Sequence, residues 1–179
     1  RMTLDTIFAL ASPPGRSGVA IIRVSGSHAL RVLTDLSGRA DITPRQAILC
    51  GIYSSAKGPG GRALLDQVLA LYFAGPASFT GEDVVEIYPH GSPAVVSALL
   101  AELDAMDGVR MALPGEFTRR AFENGKMDLT EAEAIADLID AETQMQRIQA
   151  LSQMGGALSA LYEGWTEHLK KALAHVEAD

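Results

Sequence analysis

Apolar and polar positions along this chain follow two different periods, and the period changes near residue 114. Val19-Ala20-Ile21-Ile22-Arg23-Val24 is a continuous apolar run interrupted by one charge, the pattern of a strand buried on both faces. Ser25-Gly26-Ser27 can then start a helix, in which Ala29, Val32, Leu33 and Leu36 share one face until Gly38 ends it. Residues 41–73 read as β-rich: Ala47–Tyr53, a Gly-Pro-Gly-Gly turn at 58–61, then Val68–Phe73, most economically a hairpin. Val84–Tyr88 gives another strand, Pro93 opens a helix with Val95, Val96, Leu99, Leu100 and Leu103 toward a core, and Val109–Ala112 is a short strand.

Past Pro114 the period becomes helical. A turn of helix from Glu116 to Glu123 meets Asn124-Gly125, whose tolerance of positive φ suits a C-cap. Asp128, with Glu131 three residues on, caps a second helix start. Ile135, Leu138, Met145, Ile148, Leu151, Met154, Leu158, Leu161, Trp165, Leu169 and Val176 then recur every three or four residues, with a bend predicted at Gly155-Gly156. A few consecutive helices cannot cover such a stripe by themselves, so this reads as a portion of a longer protein. The predicted class is α+β: a mixed β-sheet domain with helices over residues 1–118, followed by a partial all-helical domain over 119–179.

With 179 residues, 47% of them hydrophobic and 21% charged, the chain can bury a full core. No apolar run approaches the roughly 18 residues of a membrane span, and the first residues lack the basic-then-apolar order of a secretion signal. Cys50 is the sole cysteine, which excludes an intrachain disulfide and a cysteine-cluster metal site and fits a reducing cytoplasm. The net charge of −7 argues against this chain alone gripping a phosphate backbone.

Two charges stand inside apolar strands. Arg23 should meet an acidic partner or an anionic ligand, because an unpaired buried charge costs several kcal/mol; a structural salt bridge or a snorkelling edge position is the alternative. Glu86, on the strand face opposite Val85 and Ile87, can accept two parallel hydrogen bonds, as the adjacent amino and ring N–H donors of a pterin would supply, or it can pair with Arg23. Lys126 sits at a helix junction, from which its amine can reach back over the preceding domain; Arg119 and Arg120 read as a solvated basic patch, and His90 as a turn histidine satisfied by backbone. No Gly-x-x-x-x-Gly-Lys-Ser/Thr occurs, so the phosphate cradle of a GTPase is missing from these residues.

Three stretches resemble one family, in that family's order: Ser12-Pro-Pro-Gly-Arg-Ser-Gly-Val-Ala-Ile-Ile-Arg-Val-Ser-Gly26, Ser78-Phe-Thr-Gly-Glu-Asp-Val-Val-Glu-Ile-Tyr-Pro-His-Gly91, and the segment from Pro114 to Ile139 that includes Glu116-Phe-Thr-Arg-Arg120 and Asn124-Gly-Lys-Met-Asp128. The family is that of the MnmE (TrmE) tRNA-modification GTPases. The resemblance implies a first domain similar to the tetrahydrofolate-binding domain of the glycine-cleavage aminomethyltransferase, then a helical domain into which a GTPase domain is inserted. It implies binding of 5-formyltetrahydrofolate or methylenetetrahydrofolate at Arg23, Glu86 and Lys126, and homodimerisation through the first domain. For the parent protein it implies GTP hydrolysis with magnesium and potassium, a flavin-bearing partner, MnmG, in a heterotetramer, and carboxymethylaminomethylation of the tRNA wobble uridine. The family's C-terminal Cys-x-Gly-Lys motif, a further folate contact, is not in this sequence. Two other functions compete: a stand-alone folate-dependent one-carbon transferase, with only His90 or Asp83 as acid or base, and a pure scaffold in which Arg23 and Glu86 pair with each other.

Overall fold

The computed structural model describes residues 5–58 and 61–155, which divide between Asn124 and Gly125 into two compact units. The first unit is built on β1 (Thr6–Leu10), β2 (Ile22–Ser25), α1 (Ala29–Ser37), β3 (Ile48–Gly58), β4 (Gly61–Phe73), β5 (Val84–Tyr88), α2 (Pro93–Asp104), β6 (Val109–Met111) and α3 (Glu116–Glu123). Its strands form one mixed six-stranded sheet in the order β3-β4-β5-β2-β1-β6, antiparallel throughout except for the β1–β6 pair.

Register sorts the side chains into rows. Phe8, Val24, Val85 and Tyr72 stand opposite one another across β1, β2, β5 and β4, and Ile22, Ile87, Ala70 and Ile48 make the next row on that face. Both rows are buried with Val32, Leu33 and Leu36 of α1 and Leu99 and Leu103 of α2, which form the core. Each such side chain contributes about 1.5–3 kcal/mol by leaving water. The rows between them, which strand alternation turns to the opposite face, hold Leu71, Glu86, Arg23 and Ala9, and beside these Leu49, Leu69 and Tyr88. The charges that looked misplaced in apolar strands therefore occupy the second face of the sheet.

Most predicted elements are present. The predicted hairpin strands pair as β3 with β4 as far as Gly58 and Gly61, and α1 stops at Gly38, which takes φ 70° and returns its N–H to the Thr34 carbonyl. One strand differs: the run from Val19 to Val24, expected to be buried on both faces, pairs as a strand only from Ile22, and Val19 is exposed. Ala20, still buried, gives its N–H to the Pro89 carbonyl, and of this run Ile22 and Val24 join the main core cluster.

The second unit contains α4 (Leu129–Ile139) and α5 (Gln144–Met154). The predicted capping box is there: the Glu131 N–H donates to Asp128, and the Asp128 N–H donates to the Glu131 carboxylate. The apolar stripe is not carried by one helix, because a second capping box, Thr143 with Gln146, starts α5 afresh. Leu158, Leu161, Trp165, Leu169 and Val176, together with Gly156, lie outside the described residues. Among those described, no helix is long and apolar enough to cross a membrane.

Candidate functional site

Arg23 of β2 and Glu86 of β5 are direct cross-strand partners on the second face of the sheet. The Arg23 guanidinium donates from Nε to Glu86 Oε1 at 2.9 Å, and its Nη2 lies 2.7 Å from the same oxygen in an ion pair. The Tyr88 hydroxyl, two residues along β5 and so on the same face, donates to Oε2 at 2.5 Å. Phe79 lies 5.3 Å and Phe117 5.9 Å from Arg23 Cζ, within cation–π range. The Arg23 and Glu86 side chains keep 28% and 16% of their surface exposed, so the pair is accessible without being fully solvated. Burial, reinforced by the Glu86 carboxylate, pushes the Tyr88 hydroxyl up to about 12, which keeps it a proton donor at neutral pH.

A carboxylate offers about four lone-pair positions. Here the Arg23 Nε–H takes one on Oε1, beside which Nη2 makes its ion-pair contact, and the Tyr88 hydroxyl takes one on Oε2. An acceptor position is open on Oε2, and the one on Oε1 is cleared when the Arg23 Nη2 turns away. The arrangement can thus receive a flat ligand edge with two adjacent N–H donors, the Arg23 nitrogen released in exchange being available to an acceptor on that ligand.

Beside this pair runs an ion network that fixes α3 to the sheet. Arg120, expected as a solvated basic position, is instead 1% exposed. Its Nη1 donates to both Glu82 oxygens at 3.1 Å, and its Nη2 to the Asp5 carbonyl at 2.8 Å and to Glu116 Oε1 at 3.2 Å. Glu116, also buried, takes a bidentate fork from Arg110 at 2.7 and 2.9 Å and the Leu113 N–H at 2.8 Å. Ser25 donates its hydroxyl to Glu82 Oε2 at 2.7 Å and lies 2.7 Å from the Thr80 hydroxyl. Arg119 does remain at the surface. The resemblance-bearing stretches Ser78–Gly91 and Glu116–Arg120 thus meet through their charges, and Phe117, between the two network residues of α3, is presented to Arg23.

The Arg110 fork, aided by the Leu113 N–H and Arg120, overcomes the cost of burial and holds the Glu116 carboxyl at about 2. A carboxyl depressed in the folded state stabilises above its unfolded value and loses that contribution as pH falls through the folded one. Stability should therefore decline between about pH 4.5 and pH 2, and the decline should be shallower in Glu116→Gln, as urea melts at stepped pH would measure.

His90 departs from the expected backbone-satisfied turn: its ring Nδ1 lies 2.8 Å from Asp66 Oδ1 and its N–H donates to Asp66 Oδ2 at 2.8 Å. Asp83 accepts the Gly75 N–H at 2.9 Å. Gly91 bridges to Ser17 so closely that a Cβ there would come within 2.5 Å of the Ser17 carbonyl oxygen, which ties the Arg16-Ser17-Gly18 segment to the start of α2. The sequence-predicted residues are thus placed as follows: Arg23 and Glu86 form one ion pair in the first unit, and Lys126 belongs to the second unit, one residue after Gly125 at φ 66°. Sequence reasoning missed Tyr88, Glu82, Glu116 and Phe117.

Residues 6–126 match the family model described as the GTP-binding protein TrmE N-terminus, and residues 129–179 match that of the MnmE helical domain. The chain is 54% identical over 176 residues, 98% of its length, to the tRNA modification GTPase MnmE of Parvibaculum lavamentivorans, covering 39% of that protein. It is 52% identical to the protein of the same name from Rhodospirillum rubrum over 99% of this chain and 40% of the relative. It is 53% identical to the human mitochondrial 5-taurinomethyluridine-[tRNA] synthase subunit GTPB3 over 97% of this chain and 35% of the relative. The chain therefore spans less than half the length of these relatives.

Proposed function

Because the chain belongs to the MnmE (TrmE) family, we propose that its first unit binds a reduced folate, 5-formyltetrahydrofolate or methylenetetrahydrofolate, as part of a GTPase that modifies tRNA. The observation that carries this reading is the Glu86 carboxylate, held by Arg23 and Tyr88 on the second face of the sheet with acceptor capacity remaining. A pterin presents an amino group beside a ring N–H, the donor pair that such a carboxylate suits. The resemblance assigns Arg23, Glu86 and Lys126 to the ligand; of these, Glu86 would take the donor edge and Arg23 would orient the ligand through its released nitrogen. A bound folate would supply the one-carbon unit; the residues of this chain bind and orient it.

The remaining assignments follow from the family. The whole protein would hydrolyse GTP with magnesium and potassium, form a homodimer through its first domain, assemble with MnmG, and act in the cytoplasm on the wobble uridine of tRNA. The Walker-type phosphate cradle does not occur in these 179 residues, so a fluorescent GTP analogue at micromolar concentration should show no binding to this chain. Calorimetric titration with 5-formyltetrahydrofolate tests the folate reading: saturable binding supports it, and no heat up to millimolar ligand refutes it.

A second reading has its own support. Arg23 and Glu86 satisfy each other at 2.7 Å, as they would in a scaffold with no ligand. The same titration separates the two.

A further inference from the structure

We propose that Tyr88 is a positioning residue of the candidate folate site: its hydroxyl grips Glu86 Oε2 and fixes the plane in which the carboxylate meets the donor edge of the ligand. This rests on the folate reading above. Arg23 holds only Oε1, through two nitrogens on one side. The terminal torsion of a glutamate is soft and roughly twofold, so a grip on one oxygen leaves the carboxylate free to turn about its last bond. A second grip on the other oxygen, from along the strand, removes that freedom.

Position supports the role. Tyr88 follows Glu86 by two residues on β5, so strand alternation sets both side chains on one face, and its cross-strand neighbour on β4 is Leu69. The tyrosine adds a neutral donor. A second cation there would compete with ligand donors for the carboxylate's charge, whereas a hydroxyl orients it and leaves the charge in place. Because the hydroxyl stays protonated at neutral pH, its role as donor does not alternate.

The test compares two ligands on this chain, 5-formyltetrahydrofolate and its 2-desamino analogue, which keeps the ring N–H and lacks the amino donor. The unmutated chain should favour the parent ligand. In Tyr88→Phe, affinity for the parent should fall about tenfold with little change for the analogue, so discrimination between them collapses. Tyr88→Leu, which also lacks the hydroxyl and stays apolar, should give the same collapse. Equal losses for both ligands mean that Tyr88 only supports the sheet, and unchanged affinity means that its hydrogen bond is irrelevant; either overturns the positioning role while the folate reading stands. An unmutated chain that binds neither ligand at millimolar concentration overturns the folate reading and this role together.

Discussion

Arg120→Ala should lower the unfolding free energy of the first unit by about 3–5 kcal/mol, the cost of leaving buried opposite charges without their partner. Arg120 is 1% exposed and bonds Glu82, Glu116 and the Asp5 carbonyl at once, joining α3 to the loop before β5 and to the residue before β1. Glu116 would retain its Arg110 fork, but Glu82 would keep only the Ser25 hydroxyl and its position beside Thr80. Arg120→Lys should lose much of the same energy, since a single ammonium cannot reach three acceptors that a planar guanidinium spans. The control is one residue away: Arg119 is more than half exposed and pairs at 3.5 and 3.7 Å, so Arg119→Ala should change stability by less than about 1 kcal/mol. Urea unfolding of the three variants measures this. A loss below 1 kcal/mol in Arg120→Ala would show that the network does not hold α3.

How much of this was readable follows from the range over which each feature is decided. The α1 helix, the β3–β4 hairpin, β5 and the Asp128 cap depend on spacing within a dozen residues, and their periods and caps name them. The short β1 does not announce itself: Thr6–Leu10 is five residues before a proline turn, and its partner β6 lies about a hundred residues along the chain. Arg120 misled for the same reason. On its own helix it belongs to a Glu-x-x-Arg-Arg-x-x-Glu pattern typical of a wet surface, and its burial is decided by Glu82, 38 residues earlier in sequence.

Two signals were present and unused. Thr143 with Gln146 three residues later is a capping-box pair, and it marks a helix start inside an apolar stripe that otherwise reads as continuous. Tyr88 stands two residues from Glu86 in a strand, which places their side chains together whatever the tertiary fold. The pairing of Arg23 with Glu86 was legible only as a choice between partner and ligand. The structure gives the partner, and it does so while leaving the carboxylate able to accept more.

That remaining capacity sets the size of the second large effect. Glu86→Ala removes the acceptor that would take the two ligand donors, and hydrogen bonds to a charged group are worth about 1.5–3 kcal/mol, so folate affinity should fall by roughly 10- to 150-fold. The fold should tolerate the change. Arg23 loses its ion pair but is partly exposed and stays within cation–π distance of Phe79 and Phe117, so the stability cost should be about 1 kcal/mol or less. Glu86→Gln should recover little affinity, because an amide offers one acceptor oxygen and turns a donor nitrogen toward the ligand's own donors. Arg23→Ala acts from the other side: it leaves the carboxylate held only by the Tyr88 hydroxyl and removes the nitrogen that would meet a ligand acceptor, so affinity should fall there too. Calorimetry on the three folded variants decides between the two readings of the pair. A graded loss in all three assigns Arg23 and Glu86 to the ligand, whereas unmutated affinity in Glu86→Ala and Arg23→Ala would make their contact a structural salt bridge and move any folate site elsewhere.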